Sequence, residues 1–430
     1  MEAQENTGFV YKNLKWNMSM HMLDGIFFEI GMYFANTATV LPAFVAMLNS
    51  SPILIGLISS IRTVGWLFPQ LFSAYFVEGL EFRKMVMFKI GLGQRLPWFF
   101  IFLFTMLFAK TNPEIVLIAF FVFFAVAMFS GGLNMPVWLD FVANTVPTEW
   151  RGRLFGIRST IGGFLGIVVG LVVGYILEKF TFPDNFSICF FTYFIFATIS
   201  IIFVMLVREP QQEKIRKHFS IAKYFNSVKG IIRNNRNYVN FIVGRILLTF
   251  ISMAVAFYTL YGIKNLGAGG KEIGAFMVSS LLGSSLSYFF WGYLGDHKGH
   301  MLVIKWSSLV GIAAVFLAGM ADTLYCLYAV FFLDGVYMAG QLISGFNLVM
   351  EFSSPEERPT YIGLTNTLIA PFGTAVPVLA GLLLARNIFS YSSIFVFSGI
   401  ISLLGLLILT FMVVEPRHLK ITLVEKREGV

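Results

Sequence analysis

Hydrophobic residues occur along most of the chain in long runs, each bounded by turn residues or charges. A helix needs about 20 apolar residues to cross the hydrocarbon of a bilayer. Twelve runs reach that length: 18–47, 52–77, 85–109, 114–142, 154–178, 186–207, 239–263, 272–295, 301–319, 323–350, 361–385 and 392–414. The one long link joins the sixth run to the seventh. The pattern therefore predicts an all-α polytopic membrane protein with 12 transmembrane helices.

Composition supports a lipid environment. Only 13% of the 430 residues are charged, whereas soluble domains carry about 25%. The two cysteines, Cys189 and Cys326, lie in apolar runs and are too few for a disulfide framework. The first apolar run follows a leader without a basic segment and precedes no cleavage site, so we expect a retained span and not a signal peptide.

The distribution of Lys and Arg predicts the orientation in the membrane. If the N-terminus is inside, 22 of the 31 Lys and Arg residues fall in inner segments and five in outer segments. Cytoplasmic loops carry such an excess of Lys and Arg, so both termini and the link are expected on the cytoplasmic side. The membrane is expected to be a plasma (inner) membrane. The basic link is expected to lie on anionic headgroups through an amphipathic helix over about 219–233, and no nucleic-acid partner is expected.

The two halves of the sequence echo each other. The segment 147–152, with Gly156 beyond it, is matched by 355–358 and Gly363, and the segment 207–210 is matched by 414–416. Six crossings bring each half into the membrane from the same face, which predicts parallel repeats. We expect an N-terminal six-helix bundle at 1–207, a cytoplasmic linker at 208–238, and a C-terminal six-helix bundle with a short tail at 239–430.

One loop carries a specific resemblance. Residues 292–300 read GYLGDHKGH, which resembles the G-x-L-a-D-r-x-G-r loop of the major facilitator superfamily (MFS) of secondary transporters. The first-half copy has Ala74, Phe76, Glu78 and Glu81 at motif positions. The resemblance implies the MFS fold and a cytoplasmic gate. The residues it assigns to that gate are Glu78, Asp296, Arg151, Arg358, Gly292 and Gly299. In this superfamily, proton-coupled drug exporters carry an arginine in span four and a Gly-Pro signature in span five. Residues 129–136 of span four contain no basic residue, and span five has no such signature. The resemblance therefore does not indicate proton-driven drug export.

Six charged residues lie well inside the apolar runs: Asp24, Glu29, Arg62, Arg95, Arg245 and Asp334. Facing lipid, they would together cost roughly 15–20 kcal/mol on insertion scales. They must therefore face one another, water or substrate. The resemblance places the spans of Glu29, Arg62, Arg245 and Asp334 around a central cavity and that of Arg95 at the periphery, so Arg95 is expected to be structural. The role of Asp24 stays open.

Helical spacing gives these charges polar neighbours. Glu29, Tyr33 and Asn36 follow i, i+4, i+7, as do Arg245, Thr249 and Ser252, while Asp334, Tyr337 and Gln341 follow i, i+3, i+7. Glu29 or Asp334 is a candidate for proton coupling, with a structural ion pair as the alternative. Arg62 and Arg245 are candidates for binding a substrate anion or for gating. Asn134 and Trp138 offer a hydrogen bond and an aromatic wall, or a Trp that only packs.

Small residues mark an expected packing seam. Gly162, Gly166, Gly170 and Gly174 recur every four residues in span five, which lets helix backbones approach closely. Span eight offers Gly283, Ser284 and Ser287 as a partner face. Pro371 and Pro377 predict a kink in span eleven.

The competing functions are a membrane enzyme, a channel and a lipid or lysolipid flippase. No H-E-x-x-H, Cys/His cluster or P-loop is present in the sequence, so no enzyme activity, metal or cofactor is expected. The internal duplication fits a carrier better than a channel. We expect a secondary transporter that moves a small organic solute by alternating access, with proton coupling as an open option. Its expected partners are the substrate and the lipid bilayer, and it is expected to act as a monomer. A flippase on the same fold would show an amphipathic cavity open to the bilayer.

Overall fold

A computed structural model describes residues 8–77, 82–210, 230–233, 235–353 and 358–416. These residues form helices and no strand. The helices are α1 (Leu14–Phe34), α2 (Val40–Leu48), α3 (Pro52–Val77), α4 (Arg83–Phe108), α5 (Pro113–Thr145), α6 (Thr148–Lys179), α7 (Asp184–Leu206), α8 (Arg236–Leu248), α9 (Ile251–Val255), α10 (Tyr258–Leu266), α11 (Gly270–Lys298), α12 (His300–Gly319), α13 (Leu324–Glu351), α14 (Arg358–Ala385) and α15 (Tyr391–Phe411). The amphipathic helix is expected over about 219–233, and its residues up to 229 lie outside the described residues.

Ten of the twelve predicted runs each correspond to one helix, and the first run is divided. Helix α1 ends at Phe34 and α2 begins at Val40. In the break, the Asn36 side-chain oxygen accepts hydrogen bonds from the amides of Ala38 and Thr39 at 2.9 and 3.1 Å. The helical face predicted through Asn36 is therefore wrong, because the Asn36 side chain stabilises the turn that ends the helix.

The seventh run is divided into α8, α9 and α10. Thr249 Oγ1 donates to the Ile246 carbonyl at 2.6 Å, and Ser398 Oγ of α15 donates to the Phe250 carbonyl at 2.7 Å. A broken helix is tolerated in a membrane only where such groups satisfy the freed carbonyls. Because α8 ends at Leu248, Arg245 does not share one continuous helix with Thr249 and Ser252. The face predicted for these three residues is therefore wrong.

Eleven stretches of the described chain are long and apolar enough to cross a membrane, judged by length and composition. The first predicted run is not among them, since it is divided and α1 carries Lys15, Asp24 and Glu29. The protein is thus a multi-pass membrane protein, and its first predicted span is one of those that carry charged residues.

By its internal contacts the chain falls into two compact units. Unit 1 comprises Met1–Ser50, Ile61–Phe219 and Ala268–Val278, and unit 2 comprises Ser51–Ser60, Ser220–Gly267 and Ser279–Val430. In unit 1, Phe44, Trp98 and Phe190 are fully buried, and their rings pack at 4.9–6.0 Å. In unit 2, buried Tyr258 packs against Phe331 and Phe395 at 5.9 and 5.5 Å. Aromatic contacts of this kind stabilise both cores.

Helix backbones touch at a seam in each unit. In unit 1, a methyl group on Gly274 of α11 would overlap with Gly174 of α6. In unit 2, a methyl group on Gly381 of α14 would lie 2.6 Å from the Pro52 carbonyl at the start of α3, and Ser60 Oγ donates to the Thr374 carbonyl at 2.5 Å. These seams join helices that come from opposite halves of the sequence.

A cluster that we call the first clasp explains part of the sequence echo. The Asn17 side chain donates to the Arg208 carbonyl at 3.0 Å and accepts from the Arg208 amide at 2.9 Å. The next residue, Glu209, accepts from the amides of Arg83 and Lys84 at 2.8 and 3.1 Å. A carboxylate at this position neutralises the positive end of a helix dipole. The first clasp therefore ties the end of α7 to α1 and caps α4.

The second clasp repeats this arrangement in unit 2. The Asn237 side chain donates to the Val414 carbonyl and accepts from the Val414 amide, both at 2.9 Å. The following Glu415 carboxylate lies beside Gly299, where a methyl group would be 2.9 Å from the Glu415 carboxyl carbon. Gly299 precedes α12 and has φ of 98°, which favours glycine. The matched segments 207–210 and 414–416 both contain Glu followed by Pro. In each half this glutamate places a carboxylate at the start of the third span.

Candidate functional site

The centre of unit 1 contains an ion pair between α1 and α6. Arg158 Nε donates to Glu29 Oε1 at 3.2 Å, and both side chains are partly exposed. Gly162, one turn after Arg158, makes room for the pair, because a methyl group there would overlap with the Glu29 carboxylate. The charge predicted inside the first span therefore has a partner of opposite sign.

The glycine stripe of α6 has two different neighbours. Gly162 and Gly166 accommodate Glu29 and Tyr33 of α1, and a methyl group on Gly166 would lie 2.6 Å from the Tyr33 ring. Beyond them, a methyl group on Gly170 would lie 2.7 Å from Val278 of α11, and Gly174 faces Gly274 as described above. The stripe thus supports a side-chain site at one end and a backbone seam at the other.

The predicted partner face in span eight is wrong. A methyl group on Gly283 would overlap with the Phe332 carbonyl of α13. Ser287 donates to the Gly283 and Ser284 carbonyls of its own helix at 2.7 and 3.1 Å. The seam uses residues about three turns earlier in α11, because the close approach occurs near the start of that helix.

Two further charges, Asp24 and Arg95, are buried and are bridged by the hydroxyl of Ser200. Ser200 Oγ donates to Asp24 Oδ1 at 2.6 Å, and Arg95 Nη2 donates to the same hydroxyl at 3.2 Å. Arg95 also donates to the carbonyls of Ala197 and Gly91 at 2.5 and 3.1 Å. Asp24 and Arg95 are each only 5% exposed. Buried charges are tolerated when they are paired and hydrogen-bonded in this way.

Asp24 and Arg95, together with Arg158, line a cavity of about 250 Å³ within unit 1. Its polar wall includes Asp24, Gln94, Arg95, Asn134 and Arg158, and its aromatic wall consists of Phe28, Trp66 and Trp138. The Asn134 side-chain oxygen is buried and has no hydrogen-bond partner among the described residues. The Arg158 guanidinium lies 4.9 Å above the Trp138 ring, a cation–π contact. The cavity therefore offers both a free acceptor and aromatic faces to a ligand.

The structure brings several predicted residues together and separates others. Asn134 and Trp138 share this cavity with Asp24 and Arg158, and Arg95, expected at the periphery, also lines it. Arg62 lies on α3 with an exposed side chain, whereas Trp66 of the same helix forms part of the cavity wall.

In unit 2 the candidate residues form a different network. Arg245 Nη1 donates to the Gln341 side-chain oxygen. The Gln341 amide nitrogen donates in turn to Ser307 and Ser308 at 2.9 and 3.1 Å. Asp334 is 6% exposed on α13, and the Tyr337 ring packs against Gly311. The Arg245 cation is thus bound by a neutral amide that is itself oriented by hydroxyls.

The candidate gate residues are only partly described. Glu78 and the side chain of Arg358 lie outside the described residues. Arg151 donates to the Val146 and Ala143 carbonyls at 2.9 and 2.7 Å, which satisfies the end of α5. Asp296 lies in the last turns of α11, and Gly292 has open space where a side chain would begin. Near Arg151, the hydrogen bond that Tyr11 donates to Glu149 raises the pKa of the Tyr11 hydroxyl.

Sequence reasoning missed two ionic partners. Arg158 lies inside the apolar run 154–178, close to its predicted cytoplasmic boundary, and this position is the signal that could have indicated a charge within the span. Arg83 Nε pairs with Asp140 Oδ2 at 2.7 Å near the first clasp, and no spacing in the sequence indicated this pair. Within the described ranges no group of three His, Cys, Asp or Glu side chains could hold a metal ion.

Curated relatives include transporters of known substrates. The human choline/ethanolamine transporter FLVCR2 is 24% identical over 278 residues, covering 58% of this chain and 50% of that protein. The choline/ethanolamine transporter FLVCR1 of Felis catus is 28% identical over 296 residues, covering 60% of this chain and 50% of that protein. The chain therefore spans about half the length of the curated relatives it matches.

Solved structures show the same fold at low identity. A variant of the nucleoside transporter NupG matches 92% of this chain and 100% of that chain, with a TM-score of 0.72 and 15% identity. A bacterial homologue of the iron transporter ferroportin, in an inward-facing state, matches 92% of this chain and 98% of that chain, with a TM-score of 0.70 and 13% identity. The sequence pattern of the Major Facilitator Superfamily matches residues 25–264 and 246–429, so the chain belongs to that superfamily.

Proposed function

We propose that the protein is a secondary transporter of a small organic amine, operating by alternating access, with the Glu29–Arg158 pair as its coupling centre. The observation that carries this proposal is the pair itself. It joins α1 to α6, and its arginine lines the polar cavity of unit 1. Ionisable groups inside a membrane mark substrate or ion pathways.

The substrate class follows from the walls of the cavity and from the relatives. Aromatic faces and a carboxylate bind organic cations; Trp66 and Asp24 provide them here, and Trp138 already carries the Arg158 guanidinium. The free Asn134 oxygen can accept a hydrogen bond from a hydroxyl or an ammonium group. Choline and ethanolamine, the substrates named for the two FLVCR relatives, combine a cation with a hydroxyl. An amino alcohol is therefore the substrate class that we assign.

The size of the cavity favours a small solute over a lipid. Pockets for drug-sized ligands measure about 300–1,000 Å³, and this cavity is smaller, at about 250 Å³. A phospholipid or lysolipid would not fit inside it. We therefore place the flippase function second.

Proton coupling follows from what a proton would do at Glu29. A neutral Glu29 attracts Arg158 less strongly, so the guanidinium becomes available to move, and with it the contact between α1 and α6. The seams at Gly174–Gly274 and Pro52–Gly381 are the close contacts that such rocking would open. We assign both termini to the cytoplasmic side of a plasma membrane, and the six-helix bundles at 1–207 and 239–430 to the moving bodies.

The test uses the full chain reconstituted in vesicles with a proton gradient. We expect uphill uptake of radiolabelled choline or ethanolamine by the unaltered protein, and loss of uphill uptake with Glu29→Gln while exchange across the membrane persists. Asp334→Asn is the matched variant for the other candidate carboxylate. If both substitutions leave uphill uptake intact, neither carboxylate couples protons. If no amino alcohol is transported under any gradient, the substrate assignment is wrong.

A further inference from the structure

A second, apolar cavity lies in unit 2, remote in sequence from the charged centre. It has a volume of about 420 Å³ and is lined by α14, by α9 and the residue before it, and by α15. Its wall includes Phe250 and Phe397, and Arg386 is its one charged lining residue. A cavity of this composition differs from the polar cavity of unit 1, so it calls for a different ligand.

The part of the cavity wall that α14 provides is about as long as one leaflet of a bilayer is thick. Val376, Leu379, Leu383 and Arg386 recur at helical spacing and line the same cavity. From Val376 to Arg386 the helix rises by about 15 Å, which is half of the roughly 30 Å of hydrocarbon in a bilayer. An apolar stripe one leaflet long therefore ends in a single cation.

The backbone fixes Arg386 at the end of this stripe. The amides of Asn387 and Ile388 donate to the carbonyls of Leu384 and Leu383 at 3.0 Å each. Asn387 has φ of 54°, so α14 ends in a Schellman motif, in which the residue after the left-handed one packs back on the helix. Ile388 accordingly lines the cavity with Leu383. The motif satisfies the last carbonyls, and the exposed Arg386 side chain has no partner among the described residues.

The break in the seventh span provides the opposite wall. Phe250 lies between α8 and α9, and its carbonyl is held by Ser398 of α15 at 2.7 Å. Phe397, next to that serine, completes the wall and is 38% exposed, and Leu379 is 51% exposed. These side chains are open to the surroundings, which for a multi-pass membrane protein are acyl chains.

We infer that this cavity takes one acyl chain of an anionic phospholipid along the α14 stripe, with the phosphate of that lipid at Arg386. A single Lys or Arg contributes about 1 kcal/mol to binding an anionic membrane surface, and the same energy at Arg386 would correspond to about a fivefold preference for a net-negative lipid over a zwitterionic one. The lipid would fill the space left by the broken seventh span and so stabilise unit 2. This site is independent of the proposed amine transport.

Lipid binding is tested on the purified full chain in detergent. The probes are phosphatidylglycerol and phosphatidylcholine with identical acyl chains, and the readouts are retention in native mass spectrometry and the thermal unfolding temperature. We expect phosphatidylglycerol to be retained about fivefold more strongly. Arg386→Gln should remove this preference but keep binding of phosphatidylcholine. Leu379→Trp, which fills the cavity from an exposed position, should weaken binding of both lipids.

The matched control is Lys179→Gln, which removes another exposed cation, at the end of α6. It should leave the lipid preference unchanged. The inference is overturned if the unaltered protein retains both lipids equally, if Arg386→Gln keeps the preference, or if Lys179→Gln removes it to the same extent. It is also overturned if Leu379→Trp binds both lipids as the unaltered protein does.

Discussion

Unit 1 and unit 2 stabilise the arginines inside their helices by different chemistry. In unit 1, Arg95 shares the Ser200 hydroxyl with Asp24, and Arg158 pairs directly with Glu29. In unit 2, Arg245 donates to the neutral amide of Gln341. An amide cannot change charge with pH, whereas a carboxylate can. The comparison teaches that the carboxylate–arginine contacts on which the proposed proton coupling depends lie in unit 1, whereas the acceptor that Arg245 uses in unit 2 cannot be protonated in the same way.

Removing an arginine from each unit tests this difference most strongly. Arg95→Met leaves the Asp24 carboxylate buried without its cation, which typically costs about 3–5 kcal/mol of folding free energy. Arg245→Met leaves only the neutral Gln341 side-chain oxygen without its donor, which costs about 1–3 kcal/mol. Thermal unfolding in detergent measures both. The double variant Asp24→Asn with Arg95→Met should recover much of the loss. Equal destabilisation by Arg95→Met and Arg245→Met would contradict the comparison.

The space beside Glu29 offers a sharper test of the ion pair. Gly162→Ala adds a methyl group that overlaps with the Glu29 carboxylate, so the pair with Arg158 must shift. Overpacking of this kind costs about 1–3 kcal/mol, and we expect vesicle transport to fall more than expression. Gly156→Ala in the same helix is the control, because nothing lies within 4 Å of its added methyl group. Unchanged transport with Gly162→Ala would show that the pair is only structural.

The clasps give the smallest predicted difference. Asn17 is fully buried, so Asn17→Ala leaves the Arg208 backbone without partners at a cost of about 1–3 kcal/mol. Asn237 is partly exposed and its hydrogen bond to Val414 is solvent-accessible, so water can replace its bonds and Asn237→Ala should stay within about 0.5 kcal/mol. Unfolding temperatures of the two variants compare these costs. A larger loss for Asn237→Ala would reverse the order of the two clasps.

Much of the fold could be predicted, because lipid restricts the choice of structure to a few patterns. Ten apolar runs each became one helix, and the parallel echo between residues 207–210 and 414–416 reflects equivalent clasps. The break after Phe34 was missed because Asn36 also fits a polar helical face with Glu29 and Tyr33, and the break after Leu248 was missed because only Thr249 separates apolar residues there. A turn held by one side chain, such as that of Asn36, leaves little trace in a hydrophobic pattern.

The candidate site was predictable in its charges and not in their pairing. Asp24, Glu29 and Arg95 stood out because charge is rare in apolar runs. Arg158 did not, since it lies close to a predicted boundary and boundaries are the least certain part of such a prediction. Pairing depends on rotation and tilt of each helix, and these are set by contacts such as Gly162 with Glu29 that no single sequence displays.

The second clasp has a practical consequence for labelling experiments. It holds residue 414 through its amide and carbonyl, while the Val414 side chain is 54% exposed. Its counterpart Arg208 is less suitable, because its guanidinium lies 5.2 Å above the Trp16 ring and bonds to Asn13. A spin label or fluorophore at position 414 would therefore report on the end of the last helix while the anchoring hydrogen bonds stay in place.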